Sequence, residues 1–169
     1  MKKLLAISLF IIISGLTAFS QTLEAYKNDL SATATNVRNA PKGAVVDIIP
    51  HQSDASFILK TPKNGWWRID GDSYEDMEDG FVYLRGSSKG YWIHYSVIAV
   101  STRNYGGERL TLRSTPSNNG LIEFSFTDEI QLRPIDIKGR WVKVETLPGN
   151  YCGWIEQKWL CGNPVTNCN

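Results

Sequence analysis

The chain has 169 residues, with 18 Lys and Arg against 17 Asp and Glu and a formal net charge of +1. So even a balance lacks the basic footprint that nucleic acid or anionic lipid requires, and neither is expected as a partner. The length allows one medium domain or two small ones.

Lys2 and Lys3 precede an apolar stretch from Leu4 to Leu16 that is too short for a comfortable membrane span. With small residues at Ala18 and Ser20, residues 1–20 read as a signal peptide cut between Ser20 and Gln21. The first cysteine is Cys152, so no lipid-bearing cysteine follows the cut. The expectation is an exported protein, periplasmic or secreted, with no stable membrane insertion. Residues 21–30 form a lead-in, where Leu23, Tyr26 and Leu30 at spacings of three and four permit a short helix over 22–30 or a flexible segment.

An internal repeat follows. Asn36-Val37-Arg38-Asn39-Ala40-Pro41 matches Thr111-Leu112-Arg113-Ser114-Thr115-Pro116 at a shift of 75, which carries Arg38 onto Arg113 and Pro41 onto Pro116. The same shift carries Trp66, Arg68 and Ile69 onto Trp141, Lys143 and Val144. After a loop two residues shorter, Gly80-Phe81-Val82 is expected to fall on Gly153-Trp154-Ile155. The period suits a whole small domain rather than a solenoid repeat. The predicted organisation is a first module over 31–100, a second over 106–163 and a tail over 164–169.

Each module reads as β. Ala44 to Ile49, Trp66 to Ile69, Gly90 to Val100, Leu121 to Phe126 and Arg140 to Val144 are short runs rich in β-branched and aromatic residues, punctuated by Gly, Pro and Asn. Small closed barrels are preferred over one sandwich, because closure removes exposed strand edges.

These motifs support a named resemblance over roughly residues 31 to 162. Val37-Arg38-Asn39-Ala40-Pro41 and Leu112-Arg113-Ser114-Thr115-Pro116 resemble the opening strand of bacterial SH3 domains. Gly65-Trp66-Trp67-Arg68-Ile69 and Gly139-Arg140-Trp141-Val142-Lys143-Val144 resemble the family's central strand, and the two Gly-aromatic-apolar triplets its later strand. The resemblance implies an all-β chain of two tandem SH3-like barrels that bind cell-wall or other extended peptides. The first module departs from the pattern in the added run from Gly86 to Tyr105.

Strand alternation separates the aromatics. Val142 and Val144 share a core face, so by the repeat Trp67 and Ile69 face in, while Trp66, Arg68, Trp141 and Lys143 face out. An outward Trp offers a large apolar plate and one donor, which makes Trp66 and Trp141 the binding candidates, with Arg68 and Lys143 beside them. By the resemblance, the first Trp of a Trp-Trp pair lines the peptide groove, and Trp66 matches that position. Trp92, Trp154 and Trp159 are expected in the core or an interface.

Asp70, Asp72, Glu75, Asp76, Glu78 and Asp79 crowd one connection, whereas the equivalent Glu145 to Cys152 carries a single carboxylate. The fold itself is therefore not expected to need the charge. A basic ligand beside Trp66, with Tyr74, Asp72 and Glu75 contributing, is one reading, and a solvated loop is the other. Calcium is disfavoured, because Tyr74, Glu75 and Phe81 stand where a calcium loop needs a ligand, its turn glycine and its final Glu. Neither a metal nor a cofactor is expected.

Cys152, Cys161 and Cys168 all lie near the C-terminus, and export would let a disulfide persist. Cys161 with Cys168 is preferred over Cys152 with Cys161. The chain is not expected to be an enzyme. His51 and His94 fall in the first module and the cysteines close the second, with no nucleophile-elbow motif and no zinc spacing. Three roles remain: recognition of a cell-wall or other extended peptide, a structural or assembly role on another envelope protein, and an accessory or inhibitor of a cell-wall enzyme.

Overall fold

The structure, a computed structural model, describes residues 21–163. The expected signal peptide, its cleavage site and Cys168 lie outside the described residues. The all-β expectation holds. The strands are β1 (Thr22–Lys27), β2 (Thr35–Arg38), β3 (Val45–Ile49), β4 (Ser56–Lys63), β5 (Trp66–Ile69), β6 (Ser73–Asp76), β7 (Gly80–Tyr83) and β8 (Trp92–His94), followed by a 3-10 turn at Tyr95–Val97. Then come β9 (Ile98–Thr102), β10 (Leu110–Arg113), β11 (Ile122–Phe126), β12 (Gln131–Lys138), β13 (Trp141–Thr146), β14 (Cys152–Glu156), a second 3-10 turn at Gln157–Trp159 and β15 (Leu160–Cys161).

Thr22–Lys27 is a strand, not the helix that its apolar spacing permits. Leu23 and Ala25 alternate inward, and β1 pairs antiparallel with β4 on one side and β9 on the other. Burying two alternating side chains, pairing along the β4 edge and pairing Tyr26 and Lys27 with β9 outweigh a single turn of amphipathic helix.

The main path of the sheet runs β11-β10-β14-β13-β12-β9-β1-β4-β5-β8-β2-β3, with β15 on β9 and the β6–β7 hairpin on β4. The repeat is legible in its register. Ala25 lies opposite Phe57 as Val100 lies opposite Leu132, and Leu59 opposite Ile69 as Pro134 lies opposite Val144. All four pairs obey the shift of 75. One strand therefore serves twice: β9 pairs with β1 as the last strand of the first unit, and with β12 and β15 as the first strand of the second. This sharing joins the units into one continuous antiparallel sheet in place of two separately closed barrels. Ile98, Ala99 and Val100 are all fully buried, as expected of a strand covered on both faces.

The last match of the repeat is corrected. Trp67 lies opposite Ile93 and Arg68 opposite Trp92, just as Val142 lies opposite Ile155 and Lys143 opposite Trp154. The counterpart of Trp154-Ile155 is thus Trp92-Ile93, at a shift of 62, and each pair runs on into a 3-10 turn. The first unit carries thirteen extra residues here (75 less 62), and they build the β6–β7 hairpin that contains Gly80-Phe81-Val82. The run after Gly86 is accordingly not an addition but the ordinary β8, 3-10 turn and β9.

One contiguous core spans both units, from Leu59, Trp67, Ile69 and Ile93 through Ile98 and Val100 to Leu132, Val142, Val144 and Ile155. Trp67 is wholly buried, and its Nε1–H donates to the Pro134 carbonyl at 2.8 Å, tying the central strand of the first unit to β12 of the second.

Candidate functional site

Alternation along β5 sends Trp67 and Ile69 to the core and Trp66 to the opposite face. That face is not open to solvent as the strand pattern suggests, since Trp66 is only 9% exposed and Trp141 only 7%. Each indole instead forms part of the wall of a cleft, and the two clefts occupy equivalent places in the repeat.

The first cleft has a volume of about 450 Å³ and lies between β2, the β1–β2 loop, Trp66, His94 and Arg133. Asp29 shapes the loop by accepting hydrogen bonds from Ser31 N at 3.0 Å, Ser31 Oγ at 2.6 Å and Thr35 Oγ1 at 2.8 Å. Burial works to raise its pKa, but these bonds and the charge of Lys27 hold it below the usual carboxylate range. Arg38 Nη1 donates to the Gly43 carbonyl at 2.6 Å, and its guanidinium sits 5.7 Å from the Trp66 ring centroid. His94 packs edge-on against Trp66 with centroids 4.9 Å apart, and its Nδ1 lies 2.8 Å from Ser96 Oγ. Burial and then the charge of Arg133 push the His94 pKa below its ordinary value, which keeps the ring neutral at pH 7. Arg133 arrives from β12, in the second unit, and its buried Nε has no hydrogen-bond acceptor.

The second cleft is smaller, about 140 Å³, and uses the same positions with different chemistry. Asn104 takes the place of Asp29 and fixes its loop through the Glu108 carbonyl and the Thr127 carbonyl, both at 2.6 Å. Arg113 Nη1 donates to Gly120 O at 2.9 Å, as Arg38 does to Gly43. Glu156 replaces His94 opposite the Trp and is paired with Arg140 at 2.9 Å and Lys158 at 2.7 Å. The Lys158 hydrogen bond is the main reason that its carboxyl is held low. Arg140 lies 5.9 Å from the Trp141 ring, and Trp159 completes the wall.

The other predicted residues are not brought to these clefts. Arg68 is exposed and lies against Gly90, and Lys143 is half-buried opposite Trp154. Tyr74 is buried, Asp72 and Glu75 are exposed, and Tyr74 and Glu75 line a separate pocket of about 170 Å³ with Asp70 and Phe81. The acidic connection therefore does not face Trp66. Part of it serves the fold, contrary to expectation: Asp70 pairs with Lys60, and Asp76 accepts hydrogen bonds from Ser53 Oγ and from the backbone N–H of Glu78 and Asp79, capping the hairpin turn. Among the described residues no three His, Cys, Asp or Glu side chains converge to hold a metal ion. Cys152 is a free thiol, which removes the Cys152–Cys161 alternative.

Sequence reasoning missed Arg133, His94 and Trp159 as cleft residues. The equivalence of Asp29 and Asn104 under the shift of 75 was a usable signal for the two loops. No sequence signal marks Arg133, because it reaches the first cleft from the other unit.

No family model matches the chain, and no curated protein matches it. Among solved structures it is similar to NlpC1 from Trichomonas vaginalis, at 13% identity and a TM-score of 0.32 over 90% of this chain and 50% of that one. It is also similar to NlpC2 from the same organism, at 12% identity and a TM-score of 0.32 over 90% of this chain and 53% of that one. The chain spans about half the length of these two proteins.

Proposed function

We propose that this chain is an exported, non-catalytic binding protein of the cell envelope, whose two SH3-like units offer their Trp clefts to an extended peptide. The observation that carries the reading is that one cleft architecture is built twice. In both units an Arg pins the hairpin loop, an Asp or Asn fixes the preceding loop, and a Trp lies between them facing residues of β8 or β14 and of the 3-10 turn. The order of strand, hairpin, three strands, 3-10 turn and closing strand is in keeping with the bacterial SH3 resemblance. A concave wall of indole with a few polar groups suits a peptide backbone and one side chain. The non-catalytic part is supported by Cys152, whose thiol is raised by burial rather than activated.

The test is retention on purified peptidoglycan, with Ala34→Trp as the blocking variant. Ala34 is a half-buried residue of the loop bordering the first cleft, so a large side chain there fills the cleft without removing Trp66 from its packing. The expected result is retention of the intact protein and loss of most of it in the variant. An intact protein that washes through would end the wall-peptide reading.

A second reading, assembly on another envelope protein, is favoured by β7. Among the described residues that strand pairs only with β6, and it exposes Phe81 and Tyr83 on one face at 71% and 66%. Stoichiometric co-purification of one envelope protein that is lost on Phe81→Ser would favour it.

A further inference from the structure

We propose that the first cleft is a carboxylate subsite, in which Arg38 and Arg133 hold the free C-terminal carboxylate of a bound peptide against Trp66. This rests on the peptide-binding reading and goes further by naming the group that the cleft selects.

The argument begins with charge. Arg38 and Arg133 both line the cleft, and neither belongs to any of the ion pairs formed among the described residues, which join Lys60 to Asp70 and Glu156 to Arg140 and Lys158. The one carboxylate in the lining, Asp29, has its oxygens occupied by Ser31 and Thr35, and it matches a neutral Asn104 in the other unit. His94 is held neutral and adds no charge. The cleft therefore carries two guanidinium charges against one carboxylate, whose acceptor sites are already occupied.

Hydrogen bonding points the same way. Arg38 satisfies one donor on Gly43 and keeps the rest of its fork. Arg133 Nε is one of only two buried side-chain polar atoms among the described residues that have no partner, the other being Asn28 Oδ1. No acceptor among the described residues fixes the Arg133 guanidinium in place, which leaves its fork free to turn toward an anionic ligand in the cleft it lines. Planar guanidinium groups match a carboxylate in charge and in geometry.

The second cleft is the internal control. Its lining sets Glu108 and Glu156 against Arg109 and Arg113, so its charges balance, and Glu156, which stands where His94 stands, is paired with Arg140 and Lys158 as well. It also lacks a counterpart of Arg133, whose equivalent under the repeat is Ile58 in the first unit. Arg133 reaches the first cleft because β9 is shared, which sets β12 against the Tyr95–Val97 turn. No later unit among the described residues does the same for the second cleft. The carboxylate subsite is thus a product of the fusion and belongs to the first cleft alone.

The test compares N-acetyl-trialanine as the free acid and as the C-terminal amide, titrated against the intact protein while the indole N–H resonances of Trp66 and Trp141 are followed by NMR. At low salt the acid should shift Trp66 with at least about tenfold higher affinity than the amide. Arg133→Gln should abolish that preference, and Lys89→Gln, at an exposed position outside both clefts, should leave it intact. Equal affinity of acid and amide at Trp66 overturns the carboxylate assignment while the peptide-groove reading stands. Silence of Trp66 to both forms refutes the peptide reading and the subsite together. An acid preference that survives in folded Arg133→Gln, judged by an unshifted Trp67 indole, overturns the role of Arg133. The acid and amide comparison on the unmodified protein decides the main point whether or not any variant folds.

Discussion

Trp67→Phe tests whether the two units form one cooperative body. The substitution removes the Nε1–H bond to Pro134 across the junction and leaves that carbonyl buried without its donor. A lost bond of this kind costs about 1–3 kcal/mol. Trp67 is also fully buried, so the smaller ring leaves part of its volume empty at a further cost of about 1–2 kcal/mol. The sum, about 2–5 kcal/mol, is a large share of the roughly 5–15 kcal/mol that stabilises an ordinary domain. Urea unfolding followed by both far-UV circular dichroism and tryptophan fluorescence measures it. With an m-value of about 2 kcal/mol/M, the midpoint should fall by about 1–2.5 M in a single transition at unchanged slope. Trp92→Phe, at a half-buried position, is the control and should cost less than about 1 kcal/mol. A Trp67→Phe protein within about 0.5 kcal/mol of the parent would refute the packing argument. Two separate transitions would refute the joining of the units through β9, because its buried Ile98, Ala99 and Val100 belong to both cores.

Gly153→Ala should destabilise by about 1–3 kcal/mol in the same assay, since a Cβ there would stand 2.8 Å from Leu112 Cβ and 3.0 Å from Arg113 O, where β10 crosses close to β14. Asp76→Ala should cost about 1–3 kcal/mol near neutral pH through its lost hydrogen bonds. The Ser53 bond foremost, against burial, holds the Asp76 pKa below the ordinary carboxylate value, so its contribution is present above roughly pH 4 and disappears as the pH falls through the lower folded value. The variant and the parent should therefore converge in stability on acidification, and a gap that stays constant down to pH 2 contradicts the assignment. His94 should titrate by NMR below the ordinary value of about 6.5, and Arg133→Met should move the midpoint upward while burial keeps it low. No movement would place Arg133 too far from His94 to share its cleft.

The fold was legible where apolar alternation and the repeat agree. The shift of 75 read from Arg38 and Arg113 holds from Tyr26 and Ser101 through Ile69 and Val144, in the strand register itself. It failed at Gly80 because an aromatic followed by a β-branched apolar residue occurs twice between β5 and β9, at Phe81-Val82 and again at Trp92-Ile93. The first occurrence sits in an inserted hairpin, and what marks the second as equivalent, the 3-10 turn after it, is not a strong local sequence signal. The lead-in was misread for a related reason. Leu23 and Tyr26 fit a helical spacing, and only the two partner strands, far away in sequence, decide for β.

The binding face was legible but its surroundings were not. Alternation places Trp66 opposite Trp67, yet it is silent on what covers that face, and the answer comes from Arg38, His94 and the loop shaped by Asp29. The same limit applies to charge. Six carboxylates in one connection suggested a cationic ligand near Trp66, but carboxylate density in sequence does not say which groups the fold consumes, and Asp70 and Asp76 are consumed.

The duplication explains why the two clefts differ. Two identical closed barrels would have given identical clefts, each built from its own residues. Sharing β9 removes that equivalence, because β12 then packs beside the first unit's 3-10 turn and Trp67 reaches across to Pro134. The first cleft acquires a guanidinium from its neighbour, while the second has only its own strands and fills the corresponding place with the Glu156 ion pairs. A single shared strand is thus enough to turn a repeated scaffold into one cleft with a surplus of cationic groups and one whose lining charges balance.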